Sequence, residues 1–323
     1  MKAVEPAIVE GTALEAKPSR GGNPVVLVLR ERKSAVLGLL IVTFFVVLAV
    51  FGPSLAPYSW TQQSGPVYAP PSTQHWLGTD DSGVDVLSEL MFGARTSLIV
   101  GFAAALVAMI VGGGIGVLAG YAGGGTDVAL MRTTDYFLVI PDLVLMIVVA
   151  TVFGPSLSHV ILVIGLLLWT TTARIVRAQV KSIRERVYVR RARSLGASHR
   201  RIVAQHILPQ VAPLLIATTV LTIAYAIFDE SALAFLGVGV PGVSWGTMLE
   251  HAFARTAMTQ GAWWAFVPPG ISIGLVVVGC YLMGQAIEDA LNPRLRVAHL
   301  SIHSWRFRTP TTIATERAMD EVS

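Results

Sequence analysis

Six apolar stretches alternate with polar connections along the chain, at residues 35–55, 96–119, 136–153, 159–172, 212–235 and 264–287. A spanning helix needs about 20 apolar residues, and a Lys or Arg at mid-membrane is costly, so these runs are nearly free of both. The fourth run is short and can extend to either side. Only "GPSLSH", residues 154–159, separates it from the third. The first run follows 33 mostly polar residues that end in "RERK". It is longer than the ~7–15 residues of a signal-peptide core, so the pattern predicts an uncleaved first span.

Composition agrees with the pattern. The chain has 323 residues, 53% hydrophobic and 14% charged, whereas soluble domains carry about 25% charged residues. A single cysteine, Cys280, excludes an intramolecular disulfide framework and any CxxC metal or redox site. Ten of the 24 basic residues crowd into residues 174–201, where Glu185 is the only acid. By contrast, residues 56–95 hold one base, Arg95, against Asp80, Asp81, Asp85 and Glu89, and the connection between the fifth and sixth runs holds only Arg255. The positive-inside rule then puts both termini and the basic segment in the cytoplasm, as six spans require. Within the second run, Gly112, Gly116 and Gly120 form two overlapping GxxxG pairs, which suit close helix crossing in lipid.

The basic segment has a helical pattern. Val176, Val180, Ile183 and Val187 fall at i, i+4, i+7 and i+11, with Tyr188, Ala192 and Leu195 on a neighbouring face. Gly196 suits a helix C′ position, Ser198 can cap a second helix, and Pro209 is expected to end it. Charge and period alone also fit a basic helix lying on anionic headgroups, each Lys or Arg contributing on the order of 1 kcal/mol.

The glycine and proline positions resemble the EAA loop of ABC-importer permeases, with Gly196 followed by eleven residues and then Leu208-Pro209. Arg190, Arg191 and Ala192 stand for Glu-Ala-Ala, and His206 for the usual Ile. "YVRRARSLGAS…HILP" is similar to the peptide/nickel branch of that family. "HWLGTDDSGVDVLSELMFGARTSLIVG" (75–101), "GYAGGGTDVALMR" (120–132), "IPDL" (140–143), "SALAFLGVGVPGVSWGTML" (231–249) and "DALNPRLR" (289–296) match the branch in order, with Val84 and Glu89 where it usually has Arg. The resemblance implies an all-α integral membrane fold, the six-helix transmembrane domain of a type I ABC importer with a cytoplasmic coupling helix. Residues 1–33 would form a cytoplasmic tail, 34–56 the first transmembrane helix, 57–95 an external loop, 96–290 the permease core with its coupling loop at about 174–209, and 291–323 a second cytoplasmic tail.

By the same resemblance, Arg190, Arg191, Ala192, Arg193, Ser194, Leu195, Gly196, Ala197 and Ser198 would dock on a cytoplasmic ATPase. The implied partners are two ABC ATPase subunits, a second homologous permease and an external solute-binding protein, in the inner membrane of a prokaryote and without nucleic acid. No GxxxxGK[ST] occurs in the sequence, so no cofactor is expected on this chain; ATP and Mg²⁺ would sit on the partner. The implied solute is a peptide, a nickel chelate or an opine.

Some residues invite other readings. Asp142 lies in the third run, and Asp229 and Glu230 in the fifth. Intramembrane acids usually face a bundle interior or a water-filled path, so they are translocation-path candidates. Interfacial placement is as good a reading for Asp142, and a structural role at a helix bend for Glu230. An ion-coupled secondary transporter using Asp142 or Glu230 is the alternative function; such folds commonly carry inverted repeats, and none is visible. Gly242–Gly246 spells GxSxG, yet a hydrolase needs that motif on a strand–turn–helix, so an intramembrane hydrolase using Ser244 is the weaker alternative. His299 and His303 lack further metal ligands. Asp80, Asp81 and Asp85 lack EF-hand spacing and are expected to cap local turns.

Overall fold

A computed structural model describes residues 33–154 and 156–291. Most of both tails, with the His299/His303 pair and most of the "DALNPRLR" match, lies outside the described residues. Among the described residues the chain is helical, with two isolated β-bridges and no strand. In chain order the helices are α1 (Lys33–Leu55), α2 (Val86–Ala122), α3 (Gly124–Val139), α4 (Asp142–Phe153), α5 (Leu157–Arg184), α6 (Val187–Ser194), α7 (His199–Ile202), α8 (Leu208–Phe235), α9 (Trp245–Ala254) and α10 (Val267–Leu291). A π-helical turn, Val203–Ile207, joins α7 to α8.

Among the described residues, five continuous helices are long and apolar enough to cross a membrane. The third apolar run, residues 136–153, differs from its expectation. Pro141 has no N–H to donate and holds Ile140 in an extended conformation (φ −79°, ψ 129°). The run therefore breaks into α3 and α4, which meet at 87°. The part of α3 that precedes Tyr136 carries Asp127, Arg132 and Asp135 and lies outside the apolar stretch that starts there.

Two other expectations change at the basic segment. The short fourth run belongs to α5, which continues to Arg184, so the first four bases of the segment extend the span. Nothing between Thr172 and Arg184 breaks a helix, and Val176, Val180 and Ile183 stay fully buried along it. Pro209 does not end a helix either: His199–Phe235 forms one spanning unit. A proline cannot donate its i→i−4 bond, and here the ladder steps to i→i−5, with the Leu208 N–H on the Val203 carbonyl.

α2 is the hub, packed against α1, α5, α8 and α9. Its 37 residues reach about 55 Å, well beyond the ~30 Å apolar layer. The glycine ridge does what its spacing predicts: a Cβ on Gly116 would lie 2.7 Å from the Ala173 carbonyl of α5, and one on Gly120 2.8 Å from Val180 Cβ. Large apolar side chains such as Leu40, Phe44, Ile110, Val139 and Val152 cover the outside of the bundle.

The segment between α1 and α2 folds against the α9–α10 connection. Trp264 Nε1 donates to the Thr79 carbonyl (3.1 Å), the Tyr68 hydroxyl to the Arg255 carbonyl (2.9 Å), and Arg255 pairs with Asp81 (2.6 Å). The acids cap turns: Asp80 Oδ1 accepts from the Ser82 and Val84 amides (2.9 and 2.6 Å), and Asp85 caps α2 through the Ser88 amide (2.9 Å) while pairing with His75 (3.0 Å). Burial raises the Asp80 carboxyl above its ordinary pKa, against the pull of those two amides.

Candidate functional site

The basic segment stands on an apolar base. Val176, Val180 and Ile183 of α5, Val189 of α6, Ile202, Ile207 and Val211 are fully buried together, with Val117 and Tyr121 of α2 against them. The periodic face ends earlier than its spacing suggests. α5 stops at Arg184 and α6 restarts at Val187 after an extended Arg186, so Val187 is exposed and Val189 takes the buried place. Tyr188 and Leu195 likewise point outward, and Leu195 is 86% exposed.

Gly196 ends α6 in the left-handed region, at φ +81°. Its N–H donates to the Arg193 carbonyl (3.0 Å), and the next amide, Ala197, donates to Ala192 (3.1 Å). These two bonds make a Schellman motif. Ser198 then caps α7 by accepting from the Arg201 amide (3.4 Å). The result is helix, tight left-handed turn, helix, with the turn facing solvent. Among the nine candidate docking residues, Arg190, Arg191, Arg193, Ser194, Leu195, Gly196 and Ser198 are exposed, and Ala192 and Ala197 are half-buried where the turn meets its base.

The ten bases divide into two sets. Arg177 and Lys181 both bind Asp127 at the start of α3: Arg177 through Nε and through a guanidinium nitrogen at 2.7 Å, Lys181 at 2.6 Å. Arg174 pairs with Asp135 (2.5 Å), and Arg184 donates to the Tyr121 carbonyl (2.9 Å). The Arg177 guanidinium and the Lys181 ammonium hold the Asp127 carboxyl down at about 2. These four bases brace the base of α5 against the α2–α3 corner. Arg186, Arg190, Arg191, Arg193, Arg200 and Arg201 lie on the exposed side, with Arg193 over the Tyr121 ring (5.9 Å) and Tyr121 bonded to His199 (2.8 Å). The brace joins residues 50 and 54 apart in the chain, a pairing that no local pattern marks.

The membrane acids do not form one cluster. Asp142 opens α4 and is exposed; Asp229 on α8 is half-buried. Glu230 is fully buried among the described residues and accepts a hydrogen bond from the Ser97 hydroxyl of α2 (2.9 Å). Ser244 is equally buried. It caps α9 in a reciprocal box with Thr247 (3.2 and 2.8 Å), the work of a helix cap and no nucleophile elbow. Among the described residues no three His, Cys, Asp or Glu side chains could hold a metal.

This geometry agrees with the comparisons to known proteins. Residues 112–297 match the family "Binding-protein-dependent transport system inner membrane component", and residues 25–71 match "N-terminal TM domain of oligopeptide transport permease C". The chain is 38% identical to the dipeptide transport system permease protein DppC of Bacillus subtilis, over 83% of this chain and 84% of the relative. It is 37% identical to the protein of the same name from Alkalihalophilus pseudofirmus, over 83% and 88%. The oligopeptide transport system permease protein OppC of Bacillus subtilis is 36% identical over the same shares. With the matched family spanning the helices that carry the basic segment, the chain belongs to the binding-protein-dependent transport system inner membrane components, the membrane-spanning permeases of type I ABC importers.

Proposed function

We propose that this permease moves peptides inward, handed over by an external binding protein and driven by ATP hydrolysed on partner subunits. The observation that carries the reading is the exposed turn from α6 to α7, seated on a buried apolar base and continuous through α7 with the spanning helix α8. A bent basic element at the end of a rigid helix can be pushed, and the push acts on the span. Arg190 to Ser198 are then the docking residues for an ATPase, one copy of which meets this chain and another a second, homologous permease. The relatives' names favour di- and oligopeptides over a nickel chelate or an opine. ATP and Mg²⁺ belong to the ATPase, with none required on this chain.

Orientation follows from charge: the six outward-facing bases of the segment put it, and with it both termini, on the cytoplasmic side. The segment between α1 and α2, packed on the α9–α10 connection, then faces the binding protein. The exposure of Asp142 and the partial exposure of Asp229 support the reading that they line the path between the two permeases.

Mild-detergent pull-down of the tagged chain from native membranes, with mass spectrometry of what co-purifies, tests the assembly. A P-loop ATPase and a second permease are expected. If the chain came down alone, with and without ATP and Mg²⁺, ATP-driven import would be abandoned for ion-coupled transport, tested at Asp142 and Glu230.

A further inference from the structure

The most completely buried acid among the described residues, Glu230, sits where three helices meet. Its Oε2 accepts from the Ser97 hydroxyl of α2 (2.9 Å) and the neighbouring Ser231 hydroxyl (3.4 Å), the Ser244 hydroxyl at the N-terminus of α9 lies against the carboxyl, and Oε1 has no partner. Ser97 in turn accepts from the Trp245 amide of α9 (3.3 Å), so one hydrogen-bonded chain runs from α9 through α2 to α8. Trp245 is fully buried, donates from Nε1 to the Leu90 carbonyl (3.1 Å), and stacks edge-on against Phe45 of α1 at 5.3 Å. Two glycines let the backbones close in. A Cβ on Gly246 would lie 2.7 Å from the Ser231 carbonyl, and one on Gly93 3.3 Å from the Trp245 amide.

A buried polar group lacking partners is expensive, and an apolar residue would fill this crossing without that cost. Position explains the carboxyl. Glu230 lies on the unit His199–Phe235, about 45 Å from its first residue at 1.5 Å per residue, and the coupling turn at Gly196 is at that unit's start. α9 is the external helix packed beside the α1–α2 segment through the Arg255–Asp81 pair that follows it.

We propose that Glu230 is a positioning residue for transport: its carboxyl fastens α9 to the α2–α8 crossing, so that movement received at the coupling turn reaches the external face through one rod. This rests on the importer reading above. The carboxyl accepts from Ser97 of α2, which in turn accepts from the Trp245 amide of α9, and a neutral amide can keep that role through its carbonyl oxygen.

The test uses the reconstituted complex with its ATPases, second permease and binding protein, in wild-type, Glu230→Gln and Glu230→Ala forms. Spin labels at Phe253→Cys on α9 and Leu236→Cys at the end of α8, both exposed positions, report their separation with and without ATP. In wild type and Glu230→Gln the separation should stay single and unchanged by ATP, with full uptake. In Glu230→Ala it should broaden or shift with ATP, uptake should fall about tenfold, within the usual range of coupling effects, and ATP hydrolysis should persist. An unchanged separation and full uptake in Glu230→Ala would overturn the proposal, as would failure of Glu230→Gln to assemble, which would make the carboxyl a folding requirement only. Absence of ATP-driven uptake in the wild type itself would instead sink the importer reading.

Discussion

Replacing Gly196 isolates the proposed coupling turn from everything else. A Cβ at this position meets nothing within 4 Å, so the cost of a side chain is conformational alone. At φ +81° an L-residue is disfavoured by roughly 1–2 kcal/mol, and a β-branched one by more. The chain can escape by opening the turn, which gives up the Gly196→Arg193 and Ala197→Ala192 bonds at about 0.5–1.5 kcal/mol each. Either route costs about 1–3 kcal/mol, equivalent to a 5–150-fold shift between the docked and undocked arrangements of the turn. Peptide uptake by the reconstituted complex should therefore fall in the order Gly, Asn, Ala, Val, because Asn tolerates the left-handed region. Basal ATP hydrolysis and co-purification of the ATPase should stay near wild type across the series, since the apolar base under the turn is untouched. Uptake by Gly196→Val within twofold of wild type would refute the lever, and so would Asn behaving worse than Val.

Other consequences are local. Asp127→Asn should lower stability by about 1–2 kcal/mol, less than a fully buried pair because Arg177 and Lys181 are partly exposed. The carboxyl is depressed from its ordinary 3.8 to about 2, so its contribution is complete above pH 4 and vanishes as pH falls from about 4 to about 2. Thermal unfolding of the solubilised protein should show this acid step in wild type and lose it in Asp127→Asn. Gly116→Val forces methyl groups against the Ala173 carbonyl and Val176 and should cost at least about 1–3 kcal/mol; Gly114→Ala, with open space around it, should be neutral or slightly stabilising in the same melt. Thr256 sits at φ +60° as the C′ residue of α9, so Thr256→Gly should raise stability by about 1 kcal/mol, and an unchanged or lower melting temperature would contradict the strain.

Much of this was legible in the sequence because hydrophobic length, charge sidedness and turn residues are local properties. The spans of α1 and α10, the glycine ridge of α2, and the Gly196–Ser198 turn with its cap all follow from residues within a few positions of one another. The departures share a cause as well. Whether Pro141 breaks a span while Pro209 and Pro213 ride inside one depends on neighbouring packing: Ile207 and Val211 are locked into the base on either side of Pro209, whereas Pro141 is exposed. The Asp127 brace and the Glu230–Ser97–Trp245 chain join residues 50 to 148 positions apart. Their partners become apparent only when α2, α5, α8 and α9 are packed. The residues of the exposed turn carried a resemblance that pointed to them; the brace that holds them carried none.

Uptake of a labelled dipeptide into proteoliposomes holding the complete complex tests transport most directly. ATP-driven import requires accumulation only when ATP and Mg²⁺ are supplied on the side of the basic segment and the binding protein on the other, with no loss when ionophores collapse the ion gradients. Accumulation driven by an imposed proton or sodium gradient without ATP, and abolished by ionophore, would contradict it.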